Sequence, residues 1–282
     1  MMLSDAIRSE GYRLWRNRSA MFWSVLFAPL AGLALTVFGY FMIQQRTSEL
    51  KDVQLPPELT GTGGVLDMGA ALVSQAASLA NPAVLAFVLI GSAVIFAGDY
   101  RWETARLTLA RNSRANTIIG KVGVVKMLVL AALLAYLASA MCAEAIRGLM
   151  YQRSFAFSLS GSQAGDFALL FVSGMVRVMQ FLMLALLAAV FTRSLLAALF
   201  LPLIVGVAQF FLSQLASVFG LELTSWLAHL LMPGLAFDSL KAAIQTNQTT
   251  MLAKAIVSLA GWTFIPFFAA LVWFQRQDLS KE

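Results

Sequence analysis

Long stretches without any charge constrain this chain more than any other feature. No Asp, Glu, Lys or Arg falls between Arg18 and Arg46, between Asp67 and Asp99, between Arg193 and Glu222, or between Lys254 and Arg276. A helix needs about 20 mostly apolar residues to cross a hydrocarbon core roughly 30 Å thick, and each stretch is long enough. Two more, residues 127–143 and 167–191, reach that length once Lys126 and Arg177 are admitted. With 60% hydrophobic and 12% charged residues among 282, the chain lacks the polar surface a soluble domain requires. The runs are continuous rather than alternating, so they read as helices and not as barrel strands. The expected fold is an all-α integral membrane protein. It forms a single transmembrane domain over residues 1–282, with spans at about 19–43, 78–98, 122–146, 167–191, 195–218 and 253–274.

The distribution of basic residues predicts orientation. Twelve fall in the N-terminal segment, the connection between spans 2 and 3, the turn after span 4 and the C-terminal tail, against six in the other connections. Both termini are therefore expected on the cytoplasmic side. The +6 net charge is read as this topological bias, with no nucleic-acid partner expected. Residues 5–18 interleave Ile7, Tyr12, Leu14 and Trp15 with arginines, the pattern of an interfacial helix. The apolar run after them is too long for a signal-peptide core and reads as a retained first span.

The connection after span 1 carries Pro56-Pro57 and Gly61-Thr62-Gly63-Gly64, which are loop signals. Between spans 5 and 6, residues 223–237 are uncharged but too short to cross, and predict a reentrant segment around Pro233. The single Cys142 predicts a packed, inert thiol, and the single His229 an interfacial polar residue. One histidine allows no His pair for a metal, and no Gly-x-Ser-x-Gly elbow occurs, so enzymatic readings are disfavoured.

Residues 99–121 form a charged connection longer than a turn requires. Trp102 and Leu109 are apolar, while Arg101, Arg106 and Arg111 point elsewhere on a helix, which predicts a short amphipathic helix able to dock on another protein. The alternative is a solvated basic loop that only sets topology. The segment resembles the cytoplasmic signature of type-2 ABC transporter permeases. Asp99 stands at the acidic position, Thr104 at the threonine, Leu107 and Leu109 at the leucines, Ser113-Arg114 at the Ser-Arg, and Lys121 at the lysine that opens span 3. Glu103 replaces the usual glycine and Arg111-Asn112 the proline. Residues 273–279, Trp-Phe-Gln-Arg-Gln-Asp-Leu, resemble the family's closing motif after its last span.

The resemblance implies a permease subunit that pairs with a second permease subunit in a bacterial inner membrane. It also implies a cytoplasmic coupling helix, with Asp99, Trp102, Glu103, Thr104, Arg106, Leu107, Leu109 and Arg114 docking an ABC ATPase. No Gly-x-x-x-x-Gly-Lys-Ser/Thr loop is present, so ATP and Mg belong on that partner and this chain carries no cofactor of its own. A hydrophobic or amphipathic substrate would be exported. Two alternatives stay open: an ion-coupled secondary carrier, which ordinarily hides carboxylates at mid-membrane, and a subunit that transmits force to an envelope partner. Inside the spans, Arg177 with Gln180 one turn on, and Gln209 with Gln214, mark a substrate pathway or interface. Arg177 reads either as a site for an anionic group or as structural glue paired with Glu144 or a backbone carbonyl.

Overall fold

Helices enter the apolar runs through side-chain caps. A backbone N–H left open in hydrocarbon costs several kcal/mol, and seven helix starts supply a short polar residue to meet it. The computed structural model describes residues 3–47, 64–101, 113–216, 218–246 and 249–277. Six helices in it are long and apolar enough to cross a membrane. α1 (Leu3–Arg16) precedes the first of them, α2 (Arg18–Arg46), capped by Asn17. α3 (Met68–Ala77) is capped by Asp67, and α4 (Pro82–Arg101) by Asn81, whose Oδ1 accepts from the Val84 N–H at 3.0 Å. α5 (Arg114–Met150), α6 (Gly161–Thr192) and α7 (Leu195–Leu215) begin at Ser113, Ser160 and Ser194. Ser160 forms a full capping box with Gln163. α8 (Trp226–Leu231), capped by Ser225, and α9 (Pro233–Thr246) precede the last span, α10 (Leu252–Arg276).

α6 is the hub of the bundle, packing against α10, α7, α4, α3 and α9. In its most apolar stretch 78% of residues are buried, against 11% in α2 and 17% in α7. α2 and α7 therefore form the periphery, where Leu35, Phe38, Ile204 and Phe211 face outward as lipid-facing positions do. Cys142 also lies exposed on α5, so the expectation of a packed thiol is corrected. α2 contains a π-helical stretch, Phe22–Phe27. Across from it, a Cβ at Gly91 would stand 2.4 Å from Ser24 Oγ, so only glycine lets α4 lie this close to α2.

The helical expectation gains one addition. β1 (Val65–Asp67) and β2 (Ser154–Ala156) pair in parallel, with Leu66 opposite Phe155. They join the connection after α2 to the one after α5. α5 spans about 55 Å at 1.5 Å per residue, so this β end lies far from the end where α1 packs. The third span is also longer than expected, beginning at Arg114 rather than near residue 122, and the second begins at Pro82. Residues 68–77, expected in a loop, form α3.

Asp67 clamps the β end. Its Oδ1 accepts from the N–H of Gly69 at 2.8 Å and of Ser158 at 3.0 Å, and its Oδ2 accepts from the Ser158 hydroxyl. The Ser158 hydroxyl foremost, then the backbone N–H groups, hold its carboxyl down at about 2. A carboxyl lowered in the folded state stabilises above its ordinary value of 3.8 and loses that contribution as pH falls from there through about 2. Hydrogen exchange at residues 64–70 and 154–158 should accelerate over that interval, and Asp67→Asn should remove the pH dependence. Gly69→Ala should loosen the same amides at neutral pH, because its Cβ would sit 1.9 Å from the Ser158 carbonyl oxygen.

Candidate functional site

At the α1 end, four charged side chains converge. α1 lies against α5 because Gly120 and Gly123 leave room: a Cβ at Gly120 would stand 2.9 Å from that of Ala6. This packing carries Glu10 and Arg13 to the end of α4. Asp99 Oδ1 lies 2.7 Å from Arg13, and its Oδ2 lies 2.7 Å from Lys121 Nζ. Arg13 also reaches Glu10 Oε1 at 3.2 Å, and Lys121 donates to the Phe96 carbonyl at 3.3 Å. Asp99, Lys121 and Glu10 are 4–5% exposed. Burial pushes the Glu10 carboxyl up, against the pull of Lys121 and Arg13, and Asp99 pushes it further. Partial burial pulls the 40% exposed Arg13 side chain down, yet Asp99 and Glu10 together raise it. Tyr12 and Trp15 face outward on the other side of α1.

The far end of the 102–112 segment is tied down as well. Ser113 Oγ caps α5, and Arg114 donates to the carbonyls of Gln275 at 2.6 Å and Gln277 at 2.7 Å. Those are carbonyls that the end of α10 leaves without intrahelical partners. Gln277 in turn donates to the Val190 carbonyl at 2.5 Å and accepts from the Tyr100 hydroxyl at 3.3 Å. Asp99, Tyr100, Ser113 and Arg114 thus bind both ends of the segment to α1, α5, α6 and α10. The residues expected to dock a partner, Trp102, Glu103, Thr104, Arg106, Leu107 and Leu109, and with them the expected coupling helix, lie outside the described residues, as do Asp278 and Leu279.

A second site lies at mid-bundle. Arg177 stands sixteen residues from Gly161 and fifteen from Thr192, at the middle of α6. It is 8% exposed, donates to Gln180 Oε1 at 2.7 Å, and places its guanidinium 4.7 Å from the Phe181 ring centroid. Gly234 makes space, since a Cβ there would lie 3.3 Å from Arg177. Arg177 lines a cleft of about 960 Å³ between α4, α6, α7 and α9, together with Gln209 and Gln214 of α7. Gln180 lies behind Arg177, fully buried. Of the four residues expected on a pathway or interface, Arg177, Gln209 and Gln214 share a cleft wall, and Gln180 does not line it. The pairing of Arg177 with Glu144 does not form: Glu144 is bound by Arg147 at 2.5 Å and by Gln75 at 3.3 Å.

His229 is a further correction, because it is 1% exposed rather than interfacial. Its Nδ1 lies 3.0 Å from the Ser225 carbonyl, which fixes the proton there and leaves Nε2 to accept from Ser239 Oγ at 3.1 Å. The segment expected to reenter is two helices, α8 and α9, broken at Met232. The break frees the carbonyls of His229 and Leu230, and α10 satisfies both, from Ser258 Oγ at 2.5 Å and Trp262 Nε1 at 2.7 Å. Neither serine nor tryptophan stood out in sequence, because only the packing of α10 brings them to the break.

Fold and site define a helical, multi-pass membrane protein with anchored helix ends at one face and a largely apolar cleft, carrying Arg177 on its wall, at its centre. No family model, no curated protein and no solved structure matches the chain. Among the described residues, no group of three or more His, Cys, Asp or Glu side chains could hold a metal ion.

Without Lys121, Asp99 keeps only Arg13, which Glu10 shares, so the buried cluster is left with one uncompensated negative charge and Lys121→Met should cost about 3–5 kcal/mol. Combining it with Asp99→Asn should recover part of that loss in thermal unfolding of the detergent-solubilised protein. Glu10 carries the opposite pH sign from Asp67. Its raised carboxyl stabilises fully below the ordinary value of 4.5 and loses that contribution as pH rises through the folded value. Glu10→Gln should flatten the decline in melting temperature over that range.

Proposed function

We propose that the chain is the transmembrane permease subunit of an ATP-binding-cassette exporter, seated in a bacterial inner membrane with both termini cytoplasmic. It acts with a second permease subunit and a separate cytoplasmic ATPase, which binds ATP and Mg. The observation that carries the reading is a contact between the two motifs on which the resemblance rests. Asp99 and Lys121 of the first motif meet each other at 2.7 Å, while Arg114 of that motif grips the carbonyls of Gln275 and Gln277 in the second.

Such an arrangement suits a machine driven from outside its own chain. A segment held at both ends by spans 2, 3 and 6 passes a push on the segment to the helices rather than absorbing it. Under this reading Asp99 supports docking from behind, since its carboxylate faces inward, and the contact with the ATPase falls to residues 102–109. α1 lies along the same end with Tyr12 and Trp15 outward, which suits an interfacial helix. A secondary carrier is less well served, because the acids of the described spans, Asp99, Glu144 and Asp166, sit near helix ends.

Affinity purification from the native host in mild detergent should recover an ATPase bearing a phosphate-binding loop. Replacing Trp102, Arg106 and Leu109 together by alanine should reduce the bound ATPase by about tenfold or more, the loss of two or three interface anchors. The melting temperature should stay unchanged. Recovery of the chain without any ATPase would contradict the proposal.

A further inference from the structure

Arg177 sits where a charge is expensive, and its described neighbours do not neutralise it. A charged side chain at the centre of a bilayer is costly and ordinarily faces a partner of opposite sign or a water-filled path. Here the guanidinium, which has five N–H donors, gives one to the neutral amide of Gln180 and rests on the Phe181 ring. Asp238, an acid of the same cleft, is exposed and paired with Lys241 at 2.9 Å, and makes no ion pair with Arg177.

Across the cleft, Gln209 is an independent sign. Both its amide oxygen and its amide nitrogen are buried and without a hydrogen-bond partner among the described residues. A buried amide left open is destabilising unless something in the cleft completes it. Around these two polar groups the wall is apolar, with Leu85 of α4 and Leu203, Val207 and Phe210 of α7. The cleft's volume of about 960 Å³ falls at the upper end of the range for sites that enclose small molecules.

We propose that this cleft binds an amphipath carrying one anionic group, a phosphate or carboxylate. The anion takes the free donors of Arg177 and the amide N–H of Gln209, and the hydrocarbon part lies along α7. Arg177 suits that task because its planar fork offers paired donors to an oxyanion, at short, charge-assisted distances. As a statement about cargo this rests on the export reading. As a statement about binding it does not, and its test needs no ATPase.

Binding of radiolabelled dodecyl phosphate to the purified full-length chain in a neutral detergent is the first measurement, with dodecyltrimethylammonium and dodecanol as competitors. Dodecyl phosphate should bind saturably, and at least about tenfold more tightly than either competitor, the equivalent of one charge-assisted contact. Arg177→Gln should abolish that preference and Arg177→Lys should keep part of it. Since Arg177 also contributes to packing, Gln209→Leu is the second variant. It removes no existing hydrogen bond, should leave the melting temperature in place, and should weaken dodecyl phosphate several-fold. Equal affinity for anionic and neutral probes, or unchanged binding in a folded Gln209→Leu protein, would overturn the proposal. Two further arms separate the sources of the anion, and either result upholds the site. Competition by phosphatidylglycerol identifies a membrane lipid as the occupant, whereas ATP-dependent release in the ATPase complex identifies cargo.

Discussion

Hydrocarbon offers no hydrogen-bond partner to an open backbone group, and the architecture follows from where the chain finds partners of its own. Short polar residues stand at seven helix starts, each giving an oxygen to N–H groups that the first turn leaves free. The C-terminal ends are met from elsewhere in the fold. Gln277 reaches the end of α6, Arg114 the end of α10, and Ser258 and Trp262 the broken end of α8. These bonds close the helices, and they also decide which helices must lie side by side.

The same constraint explains the charges. Asp99, Lys121 and Glu10 lie in a nearly water-free junction that the partly exposed Arg13 closes from one side, and each ionised group depends on the others. Because the junction draws on α1, α4 and α5, moving any one of them disturbs the charge balance of the other two. The 102–112 segment starts beside this junction and ends at Arg114, which is bonded to the end of α10. Arg177 is the exception to this closure, a mid-bundle cation whose described contacts are neutral, and it opens on a cleft.

The spans were legible in sequence because the membrane imposes a minimum apolar length, and uncharged runs report it directly. Their ends were less so. Lys121 makes the third span look shorter than it is, since nothing local says that Lys121 will be buried against Asp99. Asn81 followed by Pro82 is a helix start, but it lay inside an uncharged run and was hidden by it. The β1–β2 pair joins residues about ninety positions apart in three-residue strands, too short to carry a period. Arg177 and Gln180 share a face by spacing alone, whereas Gln209 reaches the same cleft only through the packing of α7 on α6. His229 was misplaced because its burial comes from α9 and α10, not from its own neighbours.

Sidedness decides the account, because an ATPase in the cytoplasm can dock only on a face exposed there. With Cys142 replaced by serine, single cysteines at Ser9 on α1 and at Ser162 at the start of α6 occupy opposite ends of the bundle. Both positions are exposed. An impermeant maleimide should label Ser9→Cys only in inside-out vesicles and Ser162→Cys only in intact cells or right-side-out vesicles. Labelling of both from one side would contradict the helix arrangement, and labelling of Ser9→Cys from outside would contradict the permease reading.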